Sequence, residues 1–385
     1  MLNFHPMLPK HLSNLDTFLD QSISIKRLEL MLLDLPQKEI FQSAIGLRKS
    51  RKALIIKWID MDGAEGYGEC SCRPDPYYSD EFIGAAFLLV EKFITPYLGH
   101  CRTYRDLLKL LDKIRGWPFT KAAVEFALHD LIWRKKGQSM FDYWERERLE
   151  KVPVGISLGI QPSWQALQAI VARSKDQHYH RLKFKISPEV DIDQFIQLQQ
   201  IVGDKHISFD ANGTFYPQHS EQLGLFAAFN TMIEQPFPPG RIDIHQTVKK
   251  ELPHLIVCLD EEVKTLGHLI TAHQLQAIDE LNLKLGRVGG LYHSLIMADY
   301  CLSHDIPCWI GGMFETGIGR SLNLRFASFL PQACAHDLSP SSRYFVEDVL
   351  QHPIDMDTEG YIWLKEIDDL VDQQVLEKYT IKTVS

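Results

Sequence analysis

The sequence predicts an α/β protein in which a closed (β/α) barrel follows an N-terminal α+β part. From Val152 onward, short apolar segments alternate with amphipathic segments long enough for helices, as in consecutive parallel βαβ units. Seven such apolar segments follow one another, which favours a closed barrel. Charged residues near the ends of five of them recur at intervals of 24 to 26 residues, about the length of one strand, one helix and two loops.

Length and composition agree with this architecture. The chain has 385 residues, of which 45% are hydrophobic and 24% charged, as in ordinary globular proteins. It is too long for one typical domain of roughly 100–150 residues but suits a barrel of about 250 residues with a smaller partner. The net charge of −9 argues against nucleic acid or an anionic membrane as a partner. The sequence also has no run of 18 apolar residues, so no membrane span is expected.

The N-terminus and the cysteines favour a cytoplasmic protein. The first residues lack the basic and apolar segments of a signal peptide, and residues 1–21 are interpreted as an extension of uncertain order. The seven cysteines are scattered without a paired CxxC motif. This spacing indicates reduced thiols rather than a zinc framework or a disulfide scaffold.

An N-terminal α+β domain is predicted over residues 22–150, with strands first and helices after them. Ser79 and Asp80 follow a proline-rich loop and are suitable caps for a helix that begins near Glu81. The predicted elements are strands over residues 23–33 and 52–60, a turn at Asp62-Gly63, a short extended piece at 67–69, and helices over 103–114 and 118–136.

The barrel is predicted over residues 151–345. Helical segments such as 190–202 and 219–229 separate its strands. The predicted strands are VPVGISLGI (152–160), RLKFKI (181–186), HISFDA (206–211), MIEQPF (232–237), LIVCLDE (255–261), LNLKLG (281–286) and PCWIGGM (307–313). Because barrel enzymes place catalytic groups at the carboxyl ends of their strands, charged residues there are candidate site residues.

Three carboxylates occupy the middle of the charged series, on consecutive strands. They are Asp210, Glu234 and Asp260. Carboxylates that converge in a buried site repel one another unless a cation lies among them. Hard oxygen ligands suit Mg²⁺ or Mn²⁺ rather than zinc. Any one of these residues alone is more simply explained as a solvated charge, whereas the regular spacing favours a metal site.

Lysines flank the three carboxylates on both sides. Lys183 and Lys185 share one face of their strand because they are two residues apart, and Lys284 follows the carboxylates. Neighbouring positive charge lowers the pKa of a lysine and makes it a usable base. A base beside a metal-bound carboxylate can remove the proton on the adjacent carbon, and the metal then stabilises the resulting enediolate.

Several motifs resemble the enolase superfamily, in its muconate lactonizing subgroup, and within it the o-succinylbenzoate synthases related to N-succinylamino acid racemases. The motifs are GYGEC (66–70), PDPYYSDEF (74–82), FKI at Lys185, FDANGTF (209–215), IEQPF (233–237), CLDE (258–261), LKLGRVGGL (283–291), IGGMFETGIGR (310–320) and DLSPSSRYF (337–345). The resemblance implies that residues 22–150 are an α+β capping domain and that the barrel is a (β/α)7β modified TIM barrel, with residues 346–385 packing back on the cap.

The resemblance also implies roles for individual residues. Asp210, Glu234 and Asp260 would bind Mg²⁺, with Mn²⁺ as a substitute. Lys185 would be the acid/base on one face of the substrate and Lys284 would stand on the other. The remaining implied residues are Lys183, Asn212 and Glu261 behind this set, and Ser157, Gly312, Met313 and Arg287 around the substrate. For Glu261, a position facing the helices or solvent is the alternative.

The implied activity is the Mg²⁺-dependent syn dehydration of 2-succinyl-6-hydroxy-2,4-cyclohexadiene-1-carboxylate to 2-succinylbenzoate, a step of menaquinone biosynthesis. An arginine at the position of Arg287 accompanies relatives that also racemise N-succinylamino acids, so a racemase, or an enzyme with both activities, is the alternative. A hydrolase barrel would need histidine ligands, which the strand ends lack. A scaffold barrel would have lost a lysine or a ligand. The expected partner is a small carboxylate substrate, and a homo-oligomer is an open possibility.

Overall fold

The computed structural model describes residues 10–43, 46–161, 163–202, 206–331 and 335–384. An antiparallel sheet forms the N-terminal part. It contains β1 (Arg27–Ser43), β2 (Gly46–Ile59) and β3 (Glu65–Cys70), and the chain returns at its end to add β13 (Thr380–Val384). The strand order is β13-β1-β2-β3. The turn between β2 and β3 falls at the predicted Asp62-Gly63 position, where Gly63 N donates to Asp60 O.

Helices cover one side of this sheet. They are α1 (Leu15–Leu19), α2 (Ile83–Leu89), α3 (Tyr104–Asp112) and α4 (Pro118–Lys136). The bounds of α4 agree with the sequence prediction because its first residue is a proline and a left-handed Gly137 ends it. Thr103 caps α3 in a reciprocal pair with Asp106.

The structure answers one open point about the N-terminal part and corrects one expectation. Residues 10–21, whose order the sequence left uncertain, pack on the core, since Leu15 and Phe18 on α1 are fully buried; residues 1–9 lie outside the described part. Ser79 and Asp80 do not cap a helix, because α2 begins at Ile83 without a side-chain cap. The carboxylate of Glu81 instead accepts hydrogen bonds from the first backbone amides of α4, and so joins the loop to that helix.

Seven parallel strands form the second sheet, in the order β11-β10-β9-β8-β7-β6-β5. Helices alternate with these strands, as the spacing predicted. The elements are β5 (Gly155–Leu158), α5 (Trp164–Asp176), β6 (Arg181–Lys185), α6 (Ile192–Val202), β7 (His206–Asp210), α7 (Ser220–Ala227), β8 (Met232–Glu234), α8 (Ile242–Glu251), β9 (Ile256–Leu259), α9 (Leu266–Gln274), β10 (Glu280–Leu283), α10 (Leu291–Ser303), β11 (Cys308–Ile310) and α11 (Gly317–Ala327).

A short segment after α11 joins the two edges of this sheet. His336 forms a parallel bridge to Val154 beside β5, and Asp337 forms one to Gly311 beside β11. Asp337 N donates to Ile310 O, and Gly155 N donates to His336 O. The curled sheet therefore closes around an interior filled by buried side chains.

The C-terminal residues contact both parts of the molecule. The antiparallel pair of β4 (Lys151–Pro153) with β12 (Tyr361–Trp363) lies next to the start of the barrel, and α12 (Gln373–Tyr379) leads into β13 on the N-terminal sheet. The domain boundaries at residues 21, 150 and 345 stay predictions. Within the described ranges, no helix has the length and hydrophobicity needed to cross a bilayer. The six described cysteines are free thiols, and Cys334 lies outside the described residues.

Candidate active site

The predicted charged residues meet at the carboxyl ends of neighbouring barrel strands. Lys185 is paired in register with Asp210, and Asp210 with Glu234, across β6, β7 and β8. Asp260 and Lys284 each follow directly after β9 and β10. All of these side chains therefore lie at one mouth of the barrel, as the regular spacing predicted.

Lys185 is the accessible lysine of the pair on β6. Its side chain is 34% exposed, whereas that of Lys183 is 4% exposed. Lys185 Nζ lies 3.1 Å from Asp210 Oδ2 and also donates to Asn212 Oδ1. Burial raises the pKa of Asp210, but Lys185 and Lys183 outweigh it and hold that pKa below its usual value. Lys185 can therefore reach a small molecule at the mouth while an acidic neighbour positions it.

Lys183 lies deeper and is fully paired. Its Nζ donates to Glu234 Oε2 at 2.5 Å and forms an ion pair with Asp337. Burial alone would lower the pKa of Lys183, but the carboxylates of Asp337 and Glu234 raise it above its usual value. The expectation that the two lysines lower each other's pKa is thus wrong for Lys183, because its carboxylate partners outweigh burial and the neighbouring positive charge of Arg181.

Lys284 faces the row of carboxylates from the other side. Its Nζ lies 2.7 Å from Asp260 Oδ2 and 2.9 Å from the Tyr78 hydroxyl, which comes from the loop after β3. A glycine at position 311 makes this arrangement possible, since a Cβ there would lie 2.8 Å from Lys284 Cε and 2.1 Å from Asn282 Oδ1. The backbone of β11 therefore leaves the space that the lysine occupies.

Arg287 lies beside Asp260, and its implied role around the substrate stays a prediction. Its guanidinium is 3% exposed, forms an ion pair with Asp260, and donates to the Asn282 carbonyl at 2.5 Å. A buried guanidinium requires a carboxylate partner, and Asp260 provides it. Asp260 is thus shared between Arg287 and Lys284.

The donor set fits a hard divalent cation. Asp210, Glu234 and Asp260 supply only carboxylate oxygens, which Mg²⁺ and Mn²⁺ prefer. Buried Glu261 Oε2 also has no hydrogen-bond partner within the described residues. As placed, no three acidic, histidine or cysteine side chains of the described residues form a ready coordination shell. Each predicted ligand is bound to a lysine or arginine instead.

The other predicted residues lie around the same mouth. Ser157 is half-buried on β5, in register with Lys183, and its carbonyl accepts a hydrogen bond from Arg343. Gly312 packs tightly, since a Cβ there would lie 2.6 Å from Asp337 O. Met313 is buried, and its carbonyl accepts a hydrogen bond from Arg51 of the N-terminal sheet. Asn212 also donates to Glu261 Oε1 at 3.2 Å, which places Glu261 beside the carboxylates.

Sequence reasoning missed three residues of the site. Asp337 contacts Lys183, Tyr78 contacts Lys284, and Asn282 Nδ2 donates to Glu234 Oε1 at 2.7 Å. Asn282 lies two residues before Lys284 on the same strand, so the two-residue period of a strand could have identified it. Tyr78 and Asp337 reach the site from a loop and from the closing segment, where no spacing rule applies.

Comparison with known proteins identifies the family. Residues 166–367 match the model of an enolase C-terminal domain-like family. An o-succinylbenzoate synthase of Listeria innocua is 31% identical over 365 residues, which cover 93% of this chain and 96% of that protein. The chain belongs to the enolase superfamily.

Further members of the superfamily agree with this assignment. A crystal structure of an enolase-superfamily protein from Listeria innocua superposes with a TM-score of 0.87 at 30% identity, covering 94% of this chain and 98% of that one. An N-succinylamino acid racemase of Thermus thermophilus is 32% identical over 86% of this chain and 90% of its own length. The predicted fold is confirmed, and enolase-superfamily members are enzymes that bind a divalent metal ion.

Proposed function

We propose that this enzyme is an o-succinylbenzoate synthase. It dehydrates 2-succinyl-6-hydroxy-2,4-cyclohexadiene-1-carboxylate to 2-succinylbenzoate with Mg²⁺, a reaction that serves menaquinone biosynthesis. The observation that carries the proposal is the order of groups around the mouth. Lys185 and Lys284 stand on β6 and after β10, with the carboxylates of β7, β8 and β9 between them. Relatives named o-succinylbenzoate synthase support this substrate.

Asp210, Glu234 and Asp260 are the proposed ligands of the cation. When bound, the cation supplies Lewis-acid stabilisation of the negative charge that develops on the substrate carboxylate. Asn282 and Lys183 hold the two oxygens of Glu234, so this carboxylate is fixed in direction before any ligand arrives.

Lys185 is the proposed base and acid. In its neutral form it takes the proton next to the substrate carboxylate, and the resulting ammonium returns a proton to the hydroxyl that leaves from the same face. One lysine therefore serves both halves of a syn elimination. Lys284 remains an ammonium on the opposite face, where it faces the developing negative charge. Its contacts with Asp260 and Tyr78 keep it there.

Racemisation of N-succinylamino acids is the second candidate activity. In that reaction one lysine removes the α-proton and the other delivers a proton to the opposite face. The two lysines on either side of the carboxylate row provide this arrangement as well, and relatives named N-succinylamino acid racemase are 29% and 32% identical to this chain.

A side-by-side assay tests the proposal. The purified enzyme with Mg²⁺ is given the cyclohexadiene carboxylate and, separately, N-succinylamino acids. Dehydration is followed by the absorbance of the aromatic product, and racemisation by optical rotation. We expect turnover of the cyclohexadiene carboxylate. Racemisation without dehydration would replace the proposal by the racemase, and the absence of both would reject the substrate class.

A further inference from the structure

A chain of buried charges lies directly below the mouth of the barrel. Arg181 and Lys183 occupy alternate positions of β6 and point to the same side, and both residues are 5% exposed or less. They stack over the ring of Trp309 on β11, the Arg181 guanidinium at 3.9 Å and Lys183 Nζ at 4.8 Å from its centroid. Two adjacent positive charges in the interior need negative partners.

Asp337 is the partner that the two cations share. Arg181 Nη2 donates to its Oδ1 at 2.9 Å, and Lys183 forms an ion pair with its Oδ2. Asp337 lies on the segment that closes the barrel, where its backbone is bridged to Gly311. Both oxygens of the carboxylate are thus used, and its backbone position is fixed by the closure of the sheet.

Lys183 connects Asp337 to Glu234. Its Nζ lies between the two carboxylates, 2.5 Å from Glu234 Oε2, while Asn282 Nδ2 binds Glu234 Oε1 at 2.7 Å. A line of contacts therefore runs from the closing segment through β6 to β8. Of its members, Glu234 belongs to the proposed ligand set and Asp337 does not.

We propose that Asp337 is a positioning residue, which holds Lys183 in place and through it fixes Glu234 for cation binding. The inference rests on the proposed function only in taking Glu234 as a ligand. The physical reason is competition. With Asp337 present, the positive charge of the Lys183 ammonium is shared between two carboxylates. It therefore holds Glu234 without cancelling the whole negative charge of that carboxylate. Without Asp337, Glu234 is the remaining carboxylate that contacts Lys183 in the described structure, and the ammonium then competes with the cation for its oxygens.

The test is a titration with Mn²⁺ alone, read by electron paramagnetic resonance of the free ion. Asp337→Asn should weaken Mn²⁺ binding by about 10- to 100-fold, the range typical of residues behind metal ligands. Asp299→Asn is the matched control, since Asp299 is also a buried carboxylate that binds an arginine and a tryptophan, but on α10. It should leave Mn²⁺ affinity unchanged. Unchanged affinity in folded Asp337→Asn would overturn the proposal.

A double-mutant cycle separates positioning from a general structural effect. If Asp337 acts through Lys183, adding Asp337→Asn to Lys183→Met should not weaken Mn²⁺ binding further. Additive losses would contradict that route. If Asp337→Asn fails to fold, Arg181→Gln is the second variant, because it leaves the Asp337 carboxylate to Lys183 alone. By the competition argument Mn²⁺ affinity should then be retained or raised, and a loss of affinity would contradict the proposal.

The outcomes also separate this inference from the proposed function. Wild-type enzyme that binds Mn²⁺ with an Asp337-dependent affinity, but turns over neither substrate, would retain the positioning role and reject the proposed reaction. If Asp337→Asn keeps both dehydration activity and Mn²⁺ affinity, the proposed reaction stands and the positioning role of Asp337 is rejected.

Discussion

Glu69, at the end of the N-terminal sheet, accepts hydrogen bonds from Thr316 at the start of barrel helix α11. The Thr316 backbone amide donates to Oε2 at 2.9 Å and its hydroxyl at 2.7 Å, and Gly319 N adds a third bond at 3.2 Å. A carboxylate of one part of the chain therefore caps a helix of the other. Glu125 does the same for α10, where its Oε1 accepts a bond from Tyr292 N. These contacts join the N-terminal part of the chain to two helices of the barrel.

Stability should depend on pH through Glu69. Burial raises the pKa of Glu69 to about 7 from an ordinary 4.5, although the capped amides oppose it. The contribution of Glu69 to the free energy of unfolding is thus fully present below pH 4.5 and is lost as pH rises through 7. Between pH 5 and 8 the wild type should lose more free energy of unfolding than Glu69→Gln, by at most about 3 kcal/mol. Urea unfolding at several pH values measures this, with exposed Glu366→Gln as control. Equal pH dependence in wild type and Glu69→Gln would contradict it.

Lys185→Ala should abolish exchange of the substrate α-proton in deuterated water. We expect a loss of at least about 100-fold, since the positioned base is removed while the core is unaffected. Proton NMR follows the exchange, and circular dichroism checks the fold. The control is Lys264→Ala, which removes another lysine near the mouth with a side chain 46% exposed. Normal exchange in Lys185→Ala would exclude this residue as the base.

Gly311→Ala tests the space reserved for Lys284. The added methyl group would overlap Asn282 Oδ1 and press on Lys284 Cε, so the lysine must move. A displacement of this kind should lower kcat by about 100-fold. The matched control is Gly159→Ala, because a Cβ at Gly159 meets no atom within 4 Å. If both variants retain wild-type kcat, the position of Lys284 does not matter for the reaction.

Arg287→Gln should affect both candidate reactions alike. Arg287 contacts Asp260 and Asn282 rather than the open mouth, so its loss disturbs a proposed ligand that both reactions share. We expect a parallel fall of about 10- to 100-fold in dehydration and racemisation. Initial rates with both substrates measure it, and Arg287→Lys, which keeps the charge, should lose less. A selective loss of racemisation would place Arg287 against the substrate instead.

The parts of the structure that repeat locally were predictable from sequence. Strand β6, for example, was predicted at residues 181–186 and lies at Arg181–Lys185. Such bounds are predictable because the residues within and next to an element determine its length. The row from Lys185 to Lys284 followed from the same repeat. Asp337 was not predictable. It lies outside the named strands, in an isolated bridge to Gly311, and 53 positions after Lys284, the last residue of the charged series.

Contacts between distant segments account for the other differences. Ser79 and Asp80 have the composition of helix caps, yet Glu81 binds the N-terminus of α4 and α2 begins only at Ile83. The propensities of neighbouring residues contain no information about a partner this far away in the sequence. The resemblance implied a place around the substrate for Arg287, but nothing in the sequence indicated that its buried guanidinium pairs with Asp260.

The pairing of β13 with β1 has a consequence for how the protein is synthesised. Leu30 pairs with Val384, so this edge of the first sheet is covered only after residues 380–384 have been synthesised. At about 5–20 residues per second, that edge stays open for roughly 20–70 s. An open edge is a template for pairing with another nascent chain. The five residues of β13 therefore cover an edge that would otherwise be open to pairing with another chain.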